Sequence, residues 1–190
     1  CCRVCLSSFE DTTLLAFISW YIIITLAGWL VFPLAFRLLP ALADRGYAIS
    51  RALGLLLWGY FSWLLASLGI LQFNHSSLLL TLSLILGLSI WANHSTGFQL
   101  IKQWINGQRS YILVVETLFL FAFGAWTIVR AANPEAMGTE KPMELAFINA
   151  ILNSTSFPPH DPWLSGYAIS YYYFGYVMVS ILAKISQTSA

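Results

Sequence analysis

Leu14-Leu-Ala-Phe-Ile-Ser-Trp-Tyr-Ile-Ile-Ile-Thr-Leu-Ala-Gly-Trp-Leu-Val-Phe-Pro-Leu-Ala-Phe36 is the stretch whose reading decides the fold. It carries no charge, and Arg37 follows it directly. A helix needs about 20 apolar residues to cross about 30 Å of hydrocarbon, and this run, read as a span over 14–39, is long enough. Working outward, four further stretches read the same way: 51–73, 76–92, 111–132 and 167–185, the third being the shortest. The composition agrees. The chain is 58% hydrophobic and only 9% charged, where soluble domains carry about 25% charge, and its mean hydropathy is +0.73. So little charge cannot solvate the surface of a globule of this size. The expected fold is all-α: a polytopic membrane helix bundle of about five transmembrane helices with short interfacial helices. The chain divides into an N-terminal stub (1–13), spans one to four (14–132), a polar loop (133–166) and a fifth span (167–190). A net charge of +1 leaves no case for nucleic-acid binding.

Basic residues set the orientation. Arg37, Arg45 and Arg51 flank the first connection, Lys102 and Arg109 the third, and Lys184 ends span five, whereas the second connection, Asn74-His-Ser, has no fixed charge. Positive-inside counting therefore puts the first, third and last sites in the cytoplasm, and the N-terminus and the 133–166 loop outside a plasma membrane. Trp20, Trp91 and Trp126 lie towards span ends, as interfacial aromatics do. Between spans three and four, Phe98, Ile101 and Ile105 recur at helical spacing, with Leu100 and Trp104 beside them, which fits a short helix lying on the membrane surface. Cys1, Cys2 and Cys5 crowd the start without partner ligands and are read as incidental. Asn74, Asn93 and Asn153 open formal glycosylation sequons, which matter only in a eukaryotic secretory setting. The chain begins at Cys1 and stops just past a helix, so it reads as a portion of a longer protein.

The polar loop concentrates the chemistry. Glu135, Glu140, Glu144 and Asp161 are half of the eight acids in the chain, joined by Lys141 and His160, with Arg130 at the entrance. Met143, Phe147, Ile148, Ile151 and Leu152 fall on one face of an amphipathic helix over 143–153, with Pro142 tolerated in its first turn. Glu140 precedes that helix, where the positive helix end favours a carboxylate; it reads either as a functional base or as a helix-start acid. In Phe157-Pro-Pro-His-Asp-Pro-Trp, the prolines forbid helix and fix an extended path that would hold Asp161 and Trp163 in place. Tyr171, Tyr172 and Tyr173 open span five, so at least one must face protein, where a phenol can bond a phosphate or a sugar hydroxyl. Glu116 lies inside span four. An acid in hydrocarbon costs roughly 2.5–3.5 kcal/mol, so it should face the bundle and bond another span, or snorkel.

These residues carry a resemblance. Gly138-Thr-Glu-Lys-Pro-Met, Pro158-Pro-His-Asp-Pro-Trp-Leu-Ser-Gly and Tyr171-Tyr-Tyr-Phe-Gly resemble the hallmark stretches of the Chlor_Arch_YYY family of integral membrane proteins, DUF2298. The stretch from Pro33 to Gly54 is similar to that family's N-terminal region. The resemblance implies an N-terminal portion of a longer protein. The layout is also similar to the GT-C glycosyltransferases, which use polyprenyl-phosphate sugars: an acid beyond a span, an amphipathic helix on the membrane, then a Pro/aromatic string. That similarity implies Glu140 as the catalytic acid position, although residue 139 is Thr where an acid pair would stand and more spans precede the layout.

The implied reaction passes a sugar from a polyprenyl-phosphate donor to an acceptor hydroxyl on the outer face. Glu140 is the first choice of base and Asp161 the second. Arg130 and Lys141, with His160 and the hydroxyls of Tyr171, Tyr172 and Tyr173, would bind the substrate and the leaving phosphate, and Trp163 would stack on a sugar face. No cofactor is called for; a divalent metal between Glu140 and Asp161 is the one inorganic group the residues would allow. Two other classes stay open. A transporter would use Glu116 and Arg130, and a structural subunit would leave the chemistry to other members of a membrane complex.

Overall fold

The computed structural model describes residues 2–94, 98–133, 135, 138, 140–164 and 166–188, with side chains from residue 14 onward. The side chains of Cys1, Cys2 and Cys5, and Thr139, lie outside the described residues. The regular elements among the described residues are all helices: α1 (Cys2–Leu38), α2 (Ser50–Ser67), α3 (His75–Asn93), α4 (Phe98–Gly107), α5 (Arg109–Ala132), α6 (Lys141–Asn153) and α7 (Phe174–Ser186). Three helical stretches are long and apolar enough to cross a membrane: Leu14–Leu38, His75–Asn93 and Arg109–Ala132. The chain is therefore a helical membrane bundle.

The other two expected spans are shorter than their hydropathy suggests. The second, α2, has 18 residues and ends at Ser67; Gly69 then takes a positive φ of 70°, which a glycine adopts without strain. The fifth starts at Phe174, not near Tyr167, and its 13 residues reach only about 20 Å at 1.5 Å per residue. Residues 159–169 explain the late start. The N–H of Asp161 donates to Tyr167 O (2.9 Å) and that of Ile169 to Pro159 O (3.0 Å), so this backbone pairs with itself and cannot join the helix ladder. An apolar helix of this length suits a buried position, and α7 buries Val177, Ser180, Ile181, Leu182 and Ala183.

Helices α1, α2 and α3 pack together, and small residues let them approach. A Cβ at Gly54 would lie 2.6 Å from the Ala27 carbonyl group, and one at Gly28 would lie 2.9 Å from the Arg51 side chain. Polar ties join neighbours in the apolar interior. Ser62 and Thr81 share a hydrogen bond (2.9 Å), Trp58 donates to Leu78 O (2.9 Å), Ser89 to Leu30 O (2.7 Å) and Asn93 to Pro33 O (2.8 Å). The last two sit beside Pro33, where α1 lacks a backbone donor. Among the described residues, no buried side-chain nitrogen or oxygen lacks a partner. The expected short helix between spans three and four forms as α4, burying Ile101 against Phe32 and Tyr47. Helix α5 has no buried residue and lies along the side of α1, where Phe123 meets Phe17 and Phe119 meets Tyr21.

Glu116 holds α5 to the bundle. Its carboxylate accepts from the Tyr47 hydroxyl and from Arg51, whose guanidinium also lies 4.2 Å from the Phe119 ring. The acid inside span four is thus bonded to another helix.

One part of the orientation count is corrected. Positive-inside counting sets Lys184 on the side opposite Asn74-His-Ser, but its ammonium donates to Phe73 O (2.7 Å) and Leu152 O (3.1 Å), and His75 hydrogen-bonds Lys184 O (2.7 Å). These groups cannot lie on opposite sides of hydrocarbon about 30 Å thick. Lys184 ends a short helix whose C-terminus returns to the α2–α3 connection, and carbonyl oxygens take the place of water around its charge. The first and third connections do share one end, as expected, through Tyr111 and Asp44 (3.2 Å).

Candidate functional site

Helix α6 positions the site. Pro142 stands in its first turn, and Phe147 and Ile151, four residues apart, are buried on one face, as the amphipathic pattern requires. Phe147 then gathers the aromatics of the following segment. Trp163 meets it edge-on with ring centroids 5.5 Å apart, and Tyr171 and Tyr176 lie at 5.8 and 5.9 Å. The Pro-rich stretch is anchored below by Phe157, which packs edge-on against Phe73 (5.2 Å) and stacks on Tyr173 (6.2 Å). The backbone bond from Phe73 N–H to Thr155 O (2.8 Å) fixes this segment to the α2–α3 connection.

The three consecutive tyrosines precede α7 and do not ride on it, so they differ in surroundings because the backbone is not helical there, not because a helix rotates them. Tyr172 is 90% exposed. Tyr171 leans on Phe147. Tyr173 is half-buried, and its hydroxyl oxygen accepts from Trp63 Nε1–H at 2.9 Å, which leaves its own proton available to donate. Together with Tyr60, Trp63, Phe174 and Gly175, the three tyrosines line a cavity of about 440 Å³. Tyr60 and Trp63 belong to α2 and escape a reading of the sequence alone; their spacing of three, facing one side of a helix, is the available signal.

The charged candidates are placed less uniformly. Glu140 stands just before α6, exposed, and its carboxylate has no hydrogen-bond or ion-pair partner among the described residues. Glu144, one turn on, faces the Tyr176 hydroxyl at 3.5 Å. Asp161 has a structural role, because its Oδ1 accepts from the N–H groups of Trp163 (2.8 Å) and Leu164 (3.0 Å), an Asx turn that continues the chain beyond Pro162. Lys141 donates to Glu135 O (3.1 Å), and Arg130 donates to Asn133 O (2.9 Å), closing the end of its own helix. His160 is exposed and pairs through its backbone with Ala168. Among the described residues, no three His, Cys, Asp or Glu side chains gather as a metal site. Trp163 is 61% exposed and so presents a ring face to whatever lies outside the loop.

The structure thus builds an aromatic cavity from Tyr171–Tyr173 with Tyr60 and Trp63, sets Trp163 against Phe147, and leaves the Glu140 carboxylate, just before the helix that carries Phe147, without a partner among the described residues. Arg130 and Lys141 are occupied by backbone carbonyls nearby. No curated protein and no solved structure matches the chain. A family profile described as "Uncharacterized membrane protein (DUF2298)" matches residues 57–190, well over half of the chain and all of the site. The chain therefore belongs to the DUF2298 family of membrane proteins.

Proposed function

We propose that this protein is a membrane glycosyltransferase that moves a sugar from a polyprenyl-phosphate donor to an acceptor hydroxyl, with Glu140 as base. The observation that carries the reading is the cavity lined by Tyr60, Trp63 and Tyr171–Tyr173. An apolar, aromatic lining with phenol hydroxyls suits both a prenyl chain and a sugar face. In the reaction, the acceptor oxygen attacks the anomeric carbon and its proton passes to Glu140, while the bond from that carbon to the phosphate oxygen breaks. The Glu140 carboxylate, without a partner among the described residues, is available for this, whereas Asp161 already accepts two backbone donors. The departing phosphate takes hydrogen bonds from the tyrosine hydroxyls, and from Arg130 and Lys141 once they exchange a carbonyl for the anion. Membrane lipid surrounds the bundle, and the reaction is placed on the outer face of the plasma membrane.

The transport reading is weakened by Glu116, because Arg51 and Tyr47 already engage its carboxylate. The structural-subunit reading makes no demand on Glu140. The test is turnover of a panel of polyprenyl-phosphate sugars by the full chain in lipid nanodiscs. Glu140→Gln should reduce turnover by at least about a hundredfold, the scale of a lost general base, with folding unchanged. A variant as active as wild type would remove Glu140 from the chemistry.

A further inference from the structure

A second cavity, of about 620 Å³, opens at the other end of the bundle, between the end of α1, the first connection and α4. Phe36, Arg37, Arg45, Leu100, Gln103 and Trp104 are among its walls. Two guanidinium groups stand on the wall of one small cavity, which favours an anion there; Arg37 is also engaged within the fold, and its five N–H donors let it share that engagement with a phosphate. Arg45 takes a positive φ of 55°, and its guanidinium lies 5.2 Å from the Phe36 ring centroid, which orients it. The neighbouring acid is turned to other work. Asp44 accepts from the N–H groups of Gly46 (3.1 Å) and Ala48 (2.8 Å) and from the Tyr111 hydroxyl (3.2 Å). It lines a separate cavity across Trp104. Asn93 is likewise committed, to Pro33 O and Ser89 O.

The remaining wall is apolar and belongs to an amphipathic surface helix: Ile101 is buried under it, while Leu100 and Phe98 are exposed. Arginine forks suit phosphate oxygens, and an apolar rim beside them suits acyl chains. We propose that this cavity binds an anionic phospholipid, its phosphate between Arg37 and Arg45 and one chain running along α4 past Leu100. Seating a lipid here would fix α4 to the membrane surface and brace α5, which follows it directly.

The experiment is native mass spectrometry of the full chain in detergent, titrated with phosphatidylglycerol or phosphatidylcholine. Wild type should retain phosphatidylglycerol roughly tenfold better, as expected for two arginines at a lipid surface. The pair Arg37→Gln/Arg45→Gln should erase that preference. Leu100→Trp, which crowds the chain path and leaves the charges intact, should weaken both lipids, and it carries the test if the double variant does not fold. Lys102→Gln/Arg109→Gln, which removes two cations outside the cavity, should keep the preference. Loss of preference in that control, or normal binding in the arginine or Leu100 variants, overturns the proposal. Displacement of bound lipid by inorganic phosphate at matched ionic strength would mark a free-phosphate site and overturn the lipid assignment.

Discussion

The Arg51–Glu116 pair shows how a single acid in a membrane helix can be accounted for without transport. Arg51 is 7% exposed and bonds Thr25 on α1, Glu116 on α5 and the Phe119 ring face. Arg51 is buried and Glu116 half-buried, so removing the arginine leaves the acid only partly compensated, and Arg51→Met should destabilise the bundle by about 1–3 kcal/mol. Glu116→Gln should cost less, because Tyr47 still finds an acceptor. The double variant should lose less than the two single losses added, with a coupling of about 1 kcal/mol or more. Equilibrium unfolding in mixed micelles measures all three, and strictly additive losses would show that the pair does not link the helices. Asp161 carries the complementary lesson. A carboxylate in a Pro-rich loop attracts a catalytic reading, yet its Oδ1 closes a turn.

Among the elements, the α1–α2 contact depends on residues that have no side chain. Gly54 lies so close to Ala27 that a methyl group would overlap its carbonyl. Gly54→Ala should therefore destabilise by about 1–3 kcal/mol through overpacking. Gly87 on α3 is the matched control, since a Cβ there meets nothing within 4 Å. Gly87→Ala should leave stability unchanged or raise it by up to about 1 kcal/mol, from helix propensity alone. Thermal unfolding of both variants in the same detergent reads the difference, and equal effects would mean that the close approach contributes nothing. Helix α6 is legible at this scale because Phe147 and Ile151 repeat at the helical period. Helix α7 is overestimated in length because hydropathy does not register that residues 159–169 bond one another.

For the whole molecule, two ends can be told apart by contacts. One holds the first and third connections, joined by Asp44 and Tyr111. The other holds the α2–α3 connection, the end of α6 and the C-terminus of α7, joined by Lys184. With the native Cys1, Cys2 and Cys5 replaced by Ser, Ile70→Cys and Gln187→Cys should react with an impermeant maleimide from the same side of a sealed vesicle. Lys102→Cys should react only from the other side. Labelling of positions 70 and 187 from opposite sides would restore a full fifth span. The result also fixes which face carries the aromatic cavity, and so which leaflet would supply a lipid-linked donor.

What the sequence alone determined is what depends on local composition and period: a charge-poor helical membrane protein, its long apolar helices, the short helix α4, the amphipathic α6 and a non-helical Pro-rich string. Hydrophobic runs and 3.6-residue spacing are properties of consecutive residues, so no partner is needed to read them. The tertiary structure alone decided which polar groups are committed and which are open. Lys184 bonds carbonyls more than 30 and more than 100 positions away, Tyr173 accepts a hydrogen bond from Trp63 on α2, and Glu140 keeps its carboxylate unpartnered among the described residues. Whether a charge is engaged depends on groups brought near by folding, and no local pattern encodes that distance.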